Sequence, residues 1–254
     1  MHEQRVSFAN SRGETLVGVL HHPSSQPLHG AIILCHGMES NKESEKLVLL
    51  GQELAQRRML ALRFDFSYAG ESSGKFADIT YSGEVEDLGA AFSFVMNRGP
   101  RKIGIVGSSM GGTVALFFAA QTPNVVTVVT IAAPFHPERF TDRLLTLEQL
   151  RQWRDRGYTL YHGQRINVSL LRDLQAINVP QAVKTITCPL LILHGDKDEV
   201  VPVEEAYELN AGLAGPKRLS ILPAADHRLS DRSHMTRAVA EATDWLCEHL
   251  DKIA

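Results

Sequence analysis

In "IVGSSMGGTVALFFAA", residues 105–120 of this 254-residue chain, an apolar run breaks into two serines and three glycines and then resumes. Gly107-Ser108-Ser109-Met110-Gly111 fits G-x-S-x-G, in which the central serine sits on a tight, strained strand-to-helix turn with its hydroxyl clear of the backbone. A helix N-terminus directly after Ser109 favours negative charge, which suits an alkoxide or a tetrahedral oxyanion. The chemistry this points to is nucleophilic attack on a carbonyl. It needs a base, and the base needs an orienting acid. His227 in "LPAADHRLSD" is the candidate base. "LILHGDKDEVVP" offers two acids, Asp196 and Asp198, either of which can hold an imidazole in the right tautomer, and spacing leaves the choice open. Asp226 adjoins His227, but adjacent side chains diverge, so it is a poor orienter. A fourth element is "LCHGMES", where His36-Gly37 marks a turn and the Met38 N–H pairs with that of Met110 as a candidate oxyanion hole.

Each motif alone reads as an ordinary strand end. Their convergence depends on the elements that carry them. The N-terminal segments "RVSFAN" and "ETLVGVLHHP" read as a hairpin around Ser11-Arg12-Gly13. From there the pattern alternates. "GAIILCHG" is a strand covered on both faces, and Leu47, Leu50, Leu54 and Ala55 mark an amphipathic helix over 43–58. "LALRFDF" precedes a helix over 82–97, and "KIGIVGS" precedes the helix from Met110. "VVTVVTIAAP", "PLLILHGD" and "KRLSIL" are further strands, with helices near 203–213 and 233–249. Repeated β-α units imply an α/β fold, a mostly parallel central sheet with helices on both faces, whose ligand site lies beyond the carboxyl ends of the strands. Every chemically suggestive segment falls at such an end. Residues 136–187 interrupt the rhythm and read as a small inserted lid on a single domain spanning 1–254. Within it, Thr146 and Gln149 stand at capping-box spacing before "LEQLRQWRDRG", and "INVSLLRDLQ" reads as a second helix. Trp153, Tyr158 and Tyr161 cluster there in sequence.

Composition closes off other classes. Apolar residues make up 44% and charged residues 22%, so disorder and fibrous architectures are excluded. A formal charge of −3 gives no electrostatic reason to expect nucleic acid or an anionic membrane. Three cysteines, Cys35, Cys188 and Cys247, are too few and too far apart for a disulfide framework or a zinc site. The N-terminus lacks the apolar stretch of a signal peptide, and a reducing cytoplasm is the expected setting. Asn167-Val-Ser169 fits the glycosylation sequon and is read as chance.

Taken together, "HGMES", "RFDFSYAGESSG", "GSSMGG" and "HGDKDEVVP…PAADH" resemble the α/β-hydrolase superfamily over essentially the whole chain. The chain is more closely similar to the small serine hydrolases that include bacterial cinnamoyl and feruloyl esterases. The resemblance selects Asp198, the second aspartate of the G-D-x-D block, as the acid, and implies Met38 and Met110 as the oxyanion donors. It also implies a structural role for Asp65-Phe-Ser-Tyr-Ala-Gly-Glu-Ser, where Ser67 replaces the family's usual arginine. The expectation is a serine carboxylesterase acting on small or aryl esters through an acyl-enzyme, with Ser109, Asp198 and His227 as its triad. Thioesterase or small-amide hydrolase action on the same triad is the alternative, and a non-catalytic binding module the more distant one. No cofactor or metal is called for. The expected partner is a small-molecule ester, without nucleic acid or membrane, and a homodimer is left open.

Overall fold

The computed structural model describes residues 2–25, 28–141 and 145–251, so residues 142–144 of the expected lid lie outside it. Among the described residues ten strands and seven principal helices follow in chain order: β1 His2–Ala9, β2 Thr15–His22, β3 Gly30–Cys35, α1 Glu45–Gln56, β4 Met59–Phe64, α2 Tyr81–Met96, β5 Ile103–Ser108, α3 Met110–Gln121 and β6 Val125–Ile131. Then come α4 Leu147–Arg156, β7 Tyr158–Tyr161, β8 Gln164–Asn167, α5 Val168–Ala176, β9 Leu190–Gly195, α6 Glu204–Gly212, β10 Lys217–Leu222 and α7 Arg232–Asp251. Eight strands form one sheet in the order β1-β2-β4-β3-β5-β6-β9-β10. The N-terminal hairpin is antiparallel and joins β4 antiparallel, and all remaining pairs are parallel.

The continuous apolar runs of β3, β4 and β9 are buried on both faces, and period two sorts their side chains between two cores. Ile33, Cys35 and Ile105 join Leu88 of α2 and Leu116 of α3 on one face. Ile32, Leu34 and Val106 join Leu47 and Leu54 of α1 and Trp245 and Leu246 of α7 on the other. Each fully buried Leu or Ile contributes roughly 2 kcal/mol, so the two cores hold the strand ends rigidly. All parallel strands deliver their carboxyl ends to one side. There β3 separates β4 from β5, the switch point at which such sheets open a crevice.

The described parts of 136–187 pack against the first core through Phe140, Trp153, Ile166 and Leu170. Thr146 caps α4 through a complete capping box with Gln149, and Gly157 ends the helix in the left-handed region. The stretch expected as one helix from Ile166 differs. Gln164–Asn167 is a strand paired antiparallel with Tyr158–Tyr161, and the helix begins only at Val168. Trp153, Tyr158 and Tyr161, neighbours in sequence, take separate places in the fold. Trp153 is fully buried in the core, Tyr158 lies under the Arg165 guanidinium at 4.2 Å, and Tyr161 packs on Phe140. No helix among the described residues is long and apolar enough to cross a membrane.

Candidate active site

Ser109 stands at the junction of β5 and α3 with φ 54° and ψ −126°, a strained conformation for a residue with a Cβ. Its N–H donates to the Ile131 carbonyl at 2.8 Å, which ties the turn to β6. The neighbouring glycines are required by close approach. A Cβ on Gly107 would stand 2.2 Å from the Gly111 carbonyl oxygen, and one on Gly111 would stand 2.3 Å from that of His36. Both obstacles are backbone. Gly111→Ala is therefore expected to cost about 3 kcal/mol and lower Tm by roughly 10 °C in thermal unfolding. A shift under about 2 °C would show that the turn relaxes freely.

The turn aims Ser109 at the loop after β10. His227 Nε2 lies 3.1 Å from Ser109 Oγ, and its Nδ1 lies 2.8 Å from Asp198 Oδ2. Asp198 itself is held from three sides. Its Oδ1 accepts the Val200 and Val201 N–H groups at 2.9 and 2.7 Å, and His194 Nε2 approaches Oδ2 at 3.2 Å. Burial pushes the Asp198 carboxyl up, but the hydrogen bonds from His194 and His227, the His227 charge and the Val201 N–H outweigh it and hold it well below the usual carboxylate range. An ionised Asp198 only accepts, so His227 carries its proton on Nδ1 and leaves Nε2 free to accept from the serine hydroxyl. Asp196 takes no part in this chain. Its Oδ1 accepts the Ala224 N–H at 2.6 Å, bracing the loop after β10. Asp226 turns away and accepts from the Ser230 N–H at 2.8 Å.

The loop after β3 approaches Ser109 from the other side, and a Cβ on Gly37 would lie 3.1 Å from Ser109 Cβ. His36 fixes this loop. Its Nε2 accepts the Phe66 N–H at 3.1 Å, so its Nδ1 is the donor to the Gly37 carbonyl at 2.8 Å. Burial pushes the His36 imidazole down, against the opposing pull of the Gly37 hydrogen bond and the Asp65 charge, which keeps the ring neutral. Met38 and Met110 both line the cavity above Ser109, and neither main-chain N–H meets an acceptor among the described residues. Behind the loop, Asp65 accepts the Lys42 N–H and ammonium, each at 2.7 Å, and the Glu71 N–H at 2.9 Å. Where the resemblance leads one to expect an arginine, Ser67 instead donates to Asp87. The guanidinium there comes from Arg12 of the first hairpin, which donates to Ser67 Oγ and Asp87 at 2.9 and 2.8 Å.

The cavity holds about 550 Å³. Tyr81, Pro134, Phe140 and Tyr161 wall one part of it. His162, stacked on Tyr161, bonds Glu39 at 2.8 Å and so joins the β7–β8 hairpin to the loop bearing Met38. Three residues that stand here escaped sequence reasoning: Tyr81, His194 and Lys46. Lys46 had a legible signal, because Lys46, Leu50 and Leu54 at four-residue spacing put a lysine on the buried stripe of α1. Among the described residues no group of three or more His, Cys, Asp or Glu is placed to hold a metal ion.

A mostly parallel sheet with this strand order and a strained serine turn beyond its central strand define an α/β hydrolase. The chain belongs to the prolyl oligopeptidase family, whose model matches residues 79–252. Est1E from Butyrivibrio proteoclasticus, solved with ferulic acid bound, shares the fold with a TM-score of 0.87 at 21% identity, over 97% of this chain and 100% of that one. The esterase domain of a Rhodothermus marinus protein is similar at 27% identity and a TM-score of 0.78, over 98% and 100% of the two chains. In sequence, the mitochondrial palmitoyl-protein thioesterase ABHD10 of Mus musculus is 27% identical over 224 residues, 85% of this chain and 74% of that protein.

Proposed function

We propose that the protein is a serine carboxylesterase that cleaves small or aryl esters through an acyl-enzyme. The observation that carries this reading is the unbroken hydrogen-bonded series Asp198–His227–Ser109 ending at the floor of an aromatic-walled cavity. In this reading Ser109 Oγ attacks the ester carbonyl while His227 Nε2 takes its proton and Asp198 steadies the imidazolium. The Met38 and Met110 N–H groups receive the oxyanion. His227 returns the proton to the departing alcohol, and water enters by the same route to release the acid. An esterase domain and a thioesterase among its relatives support acyl transfer to water.

The chain is read as one hydrolase domain with residues 136–187 as its lid. Phe140 and Tyr161 from that segment would grip an aryl group against Tyr81. Tyr161→Ala is expected to raise KM for a phenyl ester about tenfold, with a smaller change for an ethyl ester; equal changes for the two would remove Tyr161 from aryl recognition. A reducing cytoplasm fits the three unpaired cysteines. Side-by-side kcat/KM on a phenyl ester, its thioester and its anilide tests the proposal. The ester leading by an order of magnitude or more supports it, a leading thioester makes the protein a thioesterase, and a leading anilide makes it an amidase.

A further inference from the structure

Lys46 is a cation that this mechanism does not use. It sits in the first turn of α1, only 7% exposed, and lines the same cavity as Ser109. Its Nζ donates to Ser108 Oγ at 3.0 Å, and no carboxylate stands within ion-pair distance of it among the described residues. The two acids whose charges it feels, Asp198 and Asp226, are committed to His227, His194 and the main chain. Glu45 and Arg228, which also line the cavity, are exposed at its rim. Taking an ammonium out of water with no counter-ion is costly, so a buried lysine held this way is poised for an anion that arrives from outside. Burial pushes the Lys46 ammonium down to about 8, against the pull of Asp198 and Asp226. A carboxylate bound beside it would relieve that penalty.

The position of Lys46 gives the anion a place relative to the reacting carbonyl. The aromatic wall of Tyr81, Phe140 and Tyr161 belongs to the core on one face of the sheet, whereas Met235 and the α1 stripe below Lys46 belong to the core on the other. Ser109 follows β5 at the carboxyl edge of the sheet and lines the same cavity as both, which gives an ester seated on it room for one arm toward the aromatic wall and the other toward Lys46. We propose that Lys46 is a specificity-determining residue, and that the preferred substrates are esters joining an apolar or aryl arm to an arm that ends in a carboxylate. This rests on the esterase reading above.

The test compares isosteric pairs. Monophenyl glutarate and adipate are set against phenyl pentanoate and hexanoate, and, with the arms reversed, 4-benzoyloxybutanoate against butyl benzoate. The readout is the ratio of kcat/KM within a pair. The wild type should favour the carboxylate by about tenfold or more in at least one arrangement, and Lys46→Met should reduce that ratio by the same factor. Lys46→Arg, which keeps the charge, should restore part of it. A wild-type ratio near one in every pair overturns the proposal, as does a preference that survives in Lys46→Met. Calorimetric titration with adipic acid monoanilide and with hexananilide separates this from the esterase reading. If neither ester class is hydrolysed, tighter wild-type binding of the charged anilide, lost in Lys46→Met, still upholds the anion site, and equal binding of the two anilides overturns it.

Discussion

Ser109→Ala is expected to lower kcat on phenyl pentanoate by about 10⁵-fold or more and to abolish covalent labelling by a fluorophosphonate. The magnitude follows from what the variant retains. In the proposed mechanism the Met38 and Met110 N–H groups stay in place, so a water molecule in position of the missing hydroxyl would still meet polarising donors, and a small residual rate over the uncatalysed reaction would survive. Alanine carries the same Cβ as serine and tolerates φ 54° no worse, so the turn should keep its shape and the variant its Tm. Retained fold with lost labelling is the diagnostic combination. Labelling that persists, or moves to Ser108 one residue earlier, would remove Ser109 from the centre of the reaction and take the esterase reading with it.

The α/β alternation was legible because central parallel strands are buried on both faces and so read as unbroken apolar runs, easily told from the amphipathic helices between them. The strained serine turn was legible for a related reason, since only glycines fit where the backbone of residues 36, 107 and 111 nearly touches. The β7–β8 hairpin was hidden. Its strands are four residues long, and its turn places His162 at φ 47° and Gly163 at φ 78°. A histidine at the first of two positive-φ positions lacks the Asn-Gly or Asp-Gly signature that announces such turns. Spacing also could not choose between Asp196 and Asp198. Both follow β9 by a few residues, and the difference is made by the Val200 and Val201 N–H groups, which turn Asp198 inward, and by the Ala224 N–H, which holds Asp196 to the loop after β10. Arg12 shows the same limit. It fills a place vacated some 55 residues further along the chain, a compensation that only the folded register of β1, β2 and α2 brings together.

Asp198→Asn is expected to lower kcat by about 10³- to 10⁴-fold while leaving substrate binding nearly unchanged. The reason lies in which atoms can donate. The asparagine oxygen would keep the Val200 and Val201 N–H bonds, so its NH₂ group would face His227 Nδ1 and His194 Nε2. Two donors cannot share a bond. His227 must then present Nδ1 as the acceptor and carry its proton on Nε2, aimed at Ser109 Oγ, where it can no longer take the serine proton. The same substitution has a signature in stability. Because the native Asp198 carboxyl titrates below its ordinary value, the stability it contributes is present above about pH 4 and is lost progressively as pH falls from there through the lower native value. The gap in Tm between wild type and Asp198→Asn should therefore narrow as pH falls from about 4 toward 2. A kcat within tenfold of wild type would move the orienting role away from Asp198, and a Tm gap that does not narrow between pH 4 and pH 2 would mean that its carboxyl is not held ionised by His227 and His194.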